Sequence, residues 1–95
     1  MDSVLSFLGI ARRAGKILYG EKLYEHMKDV KLVFIASDAS EKTKERILKK
    51  CSYYEIPWIA DYGFKEISEA IGRHNVKIAG IADEGMARSV LSKRK

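Results

Sequence analysis

The 95-residue chain carries 18 lysines and arginines against 13 acidic residues, a formal net charge of +5. That length makes one domain near the lower limit for folding without staples, the single cysteine excludes an internal disulfide, and no group of cysteines and histidines has metal-ligand spacing. No run approaches the ~18 consecutive apolar residues of a membrane span, and no basic region leads into a long apolar one as in a secretory signal, so a cytoplasmic protein with no membrane contact and no cofactor is expected.

In chain order, Asp2 or Ser3 caps a first helix whose Val4, Leu5, Leu8 and Ala11 form one apolar stripe. Gly15 stops it. Lys16 to Tyr19 is a short apolar strand, ended by Gly20, and Glu21 to Lys28 is a short helix with Leu23 and Met27 inward. Lys31 to Ser37 (KLVFIAS) is a nearly continuous apolar run, as expected of a strand covered on both faces. Asp38 and Glu41 have the spacing of a capping box, which predicts a helix starting there with Ile47, Leu48, Cys51 and Tyr54 inward. Pro57 opens a strand (PWIA), and a helix with Phe64, Ile67, Ala70 and Ile71 inward follows. Val76 to Ala82 is another all-apolar strand. Asp83 then caps a last helix with Met86, Ala87, Val90 and Leu91 on one side. Helix and strand alternate throughout, which predicts a three-layer α/β/α sandwich in a single domain.

The residues offer little to an enzyme. Cys51 lies on a buried stripe, where a thiol packs and does not react. His26 and His74 are far apart and lack partners. Asp38 and Asp83 are employed as caps, Asp61 has no nucleophile beside it, and neither GxGxxG nor the P-loop pattern occurs. The excess of cations instead favours an anionic partner, nucleic acid foremost. Arg12, Arg13, Lys16, Lys22, Lys42, Lys44 and Arg73 flank turns and helix starts, where backbone N–H groups can also meet phosphate. Gly20 would let a nucleic-acid backbone or base pair come close to a helix start. Lys49, Lys50, Lys93, Arg94 and Lys95 read as solvated face and tail.

The order Arg13-Ala14-Gly15-Lys16-Ile17, Gly20, KLVFIASDAS, KKCSYYEIPW, EAIGR and GIADEGMA resembles the L-seven-Ae/L-thirty-e ribosomal protein family, especially its small bacterial members, from Val4 to about Leu91. The resemblance implies an α/β/α sandwich around a four-stranded mixed sheet and binding to kink-turn RNA, a duplex bent sharply at a small bulge followed by sheared G·A pairs. Such proteins lay the start of the second helix on those guanines and hold a flipped-out nucleotide between neighbouring loops, recognition by shape plus a few base edges.

Carried over by position, Gly15 and Lys16 match the family's Gly-Lys, and Gly20 the glycine that opens the RNA-facing helix. Glu21 follows it. Lys22 stands at the family's asparagine, able to donate to guanine O6 and N7, and Leu23 stands at its glutamate, where no acceptor remains. Ser40 and Lys44 fall beside the flipped nucleotide. Lys65 adjoins a position commonly lysine, held here by Phe64. Arg73, His74 and Asn75 align with the loop covering the bulge. Arg13 completes the implied RNA-binding set. The reading is a monomeric, non-catalytic binder of kink-turn or similarly bent RNA, in rRNA or a structured leader, with the ribosome as a possible host. The alternative is a protein-interaction adaptor on the same scaffold, with Trp58, Tyr62 and Phe64 exposed as its footprint.

Overall fold

The computed structural model describes residues 3–93; Asp2, considered as a cap, and Arg94 and Lys95 of the basic tail lie outside the described residues. The elements are α1 (Ser3–Arg13), β1 (Ile17–Tyr19), α2 (Glu21–Glu25), β2 (Leu32–Ile35), α3 (Glu41–Tyr54), β3 (Trp58–Ile59), α4 (Phe64–Ile71), β4 (Ile78–Ile81) and α5 (Glu84–Lys93). The four strands form one mixed sheet in the order β1-β4-β2-β3. β4 runs antiparallel to both β1 and β2, and β2 is parallel to β3.

The central strands β2 and β4 are buried at every residue, the burden that continuous apolar runs carry. Their side chains alternate between two apolar clusters. Leu32 and Phe34 join Ala79 and Ile81 on the face covered by α1, α4 and α5, where Leu8, Ile67, Ile71 and Val90 pack. Val33, Ile35 and Ile78 lie on the other face, with Leu23 and Met27 from the α2 segment and Ile47 and Cys51 from α3. Helices therefore cover both faces of the sheet, which is the expected three-layer α/β/α architecture.

Local chemistry departs from the expected pattern in four places. The helix expected to reach Lys28 ends at Glu25, and a 3-10 turn, Met27–Asp29, follows. Its tighter i→i−3 bonds, Asp29 N–H to the His26 carbonyl and Val30 N–H to that of Met27, keep Met27 inside and bring Val30 inward with it. The expected Asp38/Glu41 capping box does not form. Ser40 caps α3, its Oγ accepting from Thr43 N–H at 3.2 Å. Asp38 reaches instead to α4, where Oδ1 accepts from Phe64 N–H at 2.9 Å. Tyr54 and Leu91, expected inward, are 39% and 38% exposed, because each lies on the rim of a groove at the ends of α3 and α5. Asp83 does cap its helix, accepting from Met86 N–H at 2.9 Å.

Gly80, in the middle of β4, holds α2 against the sheet. A Cβ there would stand 2.6 Å from Leu23 Cδ1 and 2.9 Å from Val30 Cγ1, both fully or almost fully buried. Leu23 thus occupies the space that any other residue would fill. Gly80→Ala is expected to destabilise the fold by about 1–3 kcal/mol through overpacking, read as a lower midpoint in thermal or urea unfolding.

Cys51 is buried as expected, and burial pushes its thiol up to about 11. The sign follows from linkage: the folded thiol's pKa lies above its ordinary 9.0, so its contribution to stability is intact below that value and is lost as the pH rises towards about 11. A disulfide reagent is expected to titrate Cys51 slowly in the native protein near pH 8 and rapidly once denaturant unfolds it.

Candidate nucleic-acid interface

The strand directions place the C-terminal ends of β1, β2 and β3 and the N-terminal end of β4 at one end of the sheet. The starts of α2, α3 and α4 and the loop from α4 into β4 therefore meet there. Gly20 opens α2 with φ of 65°, a conformation that residues with a side chain resist. Nothing lies within 4 Å of where its Cβ would be, so this helix start faces open space.

Between α2 and α3 lies a groove of about 420 Å³ lined by Gly20, Glu21, Tyr24, Lys42, Thr43, Arg46 and Ile78. Arg46 spans it. Its guanidinium forks onto Glu21, with Nη1 to Oε2 at 3.2 Å and Nη2 to Oε1 at 3.4 Å, and lies 3.6 Å above the centre of the Tyr24 ring. Both members of the ion pair are largely exposed, so it adds little stability, but it gives the cation a fixed orientation. The hydrogen bond to Glu21 raises the Arg46 pKa further above its ordinary range. Burial raises that of Tyr24, with the neighbouring Arg46 cation pulling it back, so the phenol stays protonated.

A second groove, about 760 Å³, runs along α4, lined by Phe64, Lys65, Ser68, Glu69, Gly72, Arg73, His74 and Asn75. Its loop is tied down at both ends. Arg73 N–H donates to the Ser68 carbonyl at 2.9 Å and Val76 N–H to the buried Ser68 Oγ at 2.8 Å. Asn75 takes the left-handed conformation between them, with φ of 55°. Arg73, His74 and Asn75 are therefore exposed on a short, anchored turn. Lys77 Nζ stands 4.9 Å from the Phe64 ring, a cation over the groove's aromatic wall.

Of the implied set, Gly20 and Glu21 line the first groove; Lys65, Arg73, His74 and Asn75 line the second. Ser40 and Lys44 belong to the start of α3 at the same end. Lys22 is exposed on α2 but does not line the first groove. Arg13, Gly15 and Lys16 are not gathered there. They precede β1, whose other end leads to Gly20, so Lys16 lies roughly 13 Å of strand away. Helix-start amides contribute less than expected, since Ser40 and Asp38 already accept from Thr43 and Phe64. Tyr62 and Phe64, expected as exposed aromatics, pack partly buried against the core, whereas Trp58 is 47% exposed. Arg46 and Tyr24 were not singled out by sequence: Arg46 reaches Glu21 across 25 positions, and no local pattern marks that pairing. Among the described residues no group of three or more His, Cys, Asp or Glu could hold a metal, and no helix is long and apolar enough to cross a membrane.

No family model matches the chain. It is 40% identical over 90 residues to the RNA-binding protein YlxQ of Enterococcus faecium, a match covering 92% of this chain and 86% of that protein. It is 31% identical to the RNA-binding protein YlxQ of Bacillus subtilis (strain 168), over 90% of this chain and 88% of that one. Among solved structures, a protein of unknown function from Bacillus halodurans superposes with a TM-score of 0.88 at 34% identity, over 98% of this chain and 97% of that one. A Giardia lamblia 15.5kD RNA binding protein shares the fold, with a TM-score of 0.75 at 19% identity over 94% and 82% of the two chains. With 40% identity running through nearly its whole length, the chain belongs to the YlxQ family.

Proposed function

We propose that this chain binds RNA, as its YlxQ relatives are named for doing, and that its target is a structured RNA, a kink-turn or a similarly bent helix. The observation that carries the reading is the convergence at one end of the sheet of an open glycine-led helix start, a cation-lined groove and an anchored basic turn. On this reading the chain is a member of the L-seven-Ae/L-thirty-e ribosomal protein family. It acts as a monomer in the cytoplasm on rRNA or a structured leader, with the ribosome as one host, and carries out no chemistry.

On this reading Gly20 would let the widened groove of the bend approach α2, with Lys42 in the groove and Lys22 beside it meeting phosphates or guanine edges. Leu23, which stands at the glutamate of the L-seven-Ae/L-thirty-e family, is wholly buried against Gly80, so it offers the RNA no acceptor. Glu21, held by Arg46 in the same groove, would accept from a guanine amino group instead. Lys65, Arg73, His74 and Asn75 would surround a flipped-out nucleotide in the second groove. The protein stabilises the bent RNA by binding it better than the extended form.

The test is a titration of a kink-turn RNA and an unbent control duplex at two salt concentrations. With about five phosphates neutralised, log K is expected to fall with log salt with a slope of roughly 4–5, and the kink-turn should bind more tightly than the control. Equal, salt-sensitive affinity for both would reduce the activity to non-specific attraction, and no binding of either would leave the adaptor reading. Lys42→Glu is expected to weaken kink-turn binding about tenfold with unfolding unchanged. Lys16→Ala, at the far end of β1, should have a smaller effect.

A further inference from the structure

The end of the sheet opposite Gly20 carries an aromatic and basic surface that the reading above leaves unused. α3 runs from the RNA-facing end to this one, and its last two turns repeat a basic–aromatic pair. Lys49 lies four residues before Tyr53 and Lys50 four before Tyr54, so each lysine is beside a ring on the same helix side. Tyr53 is 79% exposed, and its ring meets that of Tyr54 edge to face at 4.8 Å and 81°. Trp58 follows on the edge strand β3 and is 47% exposed. Its register partner Val33 packs in the cluster beneath α3, so the indole stands on the α3 side of the sheet. Tyr54 also forms one wall of a groove of about 450 Å³ whose rim includes Lys28 and Lys31.

A hydrophobic patch alone would suit many occupants. Here the four lysines outnumber the neighbouring carboxylates Asp29, Glu55 and Glu84, and Glu84 is already paired with Arg88 at 2.6 Å, so the surface is cationic as well as aromatic. Exposed rings interleaved with lysines match the chemistry of unpaired nucleotides, whose bases offer π-faces and whose linkers carry negative charge. The same end of the sheet bears Lys16, before β1, which extends the positive charge beyond this patch. A lysine-poor apolar surface would have pointed to a protein.

We propose that Tyr53, Tyr54 and Trp58, with Lys49 and Lys50, form a second RNA-contact surface that stacks single-stranded nucleotides flanking the bent helix. This deepens the RNA-binding reading and rests on it. The protein measures 29 × 25 × 25 Å, so a strand leaving the bent helix can follow α3 to this surface.

Trp58, the only tryptophan, reports the site directly. The full chain, free and saturated with kink-turn RNA, is titrated with an oligouridine of about ten nucleotides, a length typical of single-strand sites. Saturable quenching of Trp58 fluorescence is expected in both cases. Tyr53→Ala and Lys50→Glu, both at exposed positions, should each weaken oligouridine binding by about tenfold and leave kink-turn affinity unchanged. No quenching, or quenching indifferent to these substitutions, overturns the proposal, as does quenching by an oligoglutamate peptide in place of oligouridine. Oligouridine quenching in a protein that fails to bind the kink-turn would overturn the bent-helix reading and leave this surface supported.

Discussion

Leu23 reaches the sheet only because residue 80 has no side chain. The methyl group at its tip lies where a Cβ of β4 would be, with Val30 closing the other side. That contact sets the distance between α2 and the sheet. The orientation of Arg46 depends on the same packing, since its two partners, Glu21 and Tyr24, are both carried by this five-residue helix. So short a helix has little stability of its own. The geometry of the outward-facing groove is therefore decided by an apolar contact on the inward side.

The sequence was most legible where burial is complete. β2 and β4 are covered on both faces, so their apolar runs are uninterrupted, and the alternation of helices with strands follows from glycine and aspartate punctuation. Asp83 behaves as its spacing suggests because its acceptor role is local. Asp38 does not, because a carboxylate beside a turn can accept from any amide that the fold brings near, and here that amide is 26 residues away. The same reason hid the Arg46–Glu21 pair. The separation of Lys16 from Gly20 was obscured differently. Three residues of strand are too few for composition to show that the chain crosses the whole sheet between them. Residue identity thus marked the glycine-led helix start and the basic turn of the candidate site, while strand direction decided which cations share a surface.

That direction divides the protein into two chemically distinct ends. One gathers helix starts, an anchored turn and two grooves with few exposed rings. The other gathers the end of α3, the edge strand and most of the exposed aromatic surface, with Tyr53 and Trp58 the most exposed of its rings. Lysines serve both ends, so net charge alone does not separate them. What differs is what lies between the cations: backbone turns and polar side chains at one end, flat rings at the other.

The bond from Asp38 to the Phe64 amide joins the segment after β2 to the first turn of α4. Glu66 reinforces that turn by accepting from the Gly63 N–H at 3.0 Å. The segment after β2 and the start of α4 are thereby tied into one rim, so that a ligand drawing in one of them loads the other. On the proposed reading the rim meets bent RNA as a finished mould, and the bending falls to the RNA.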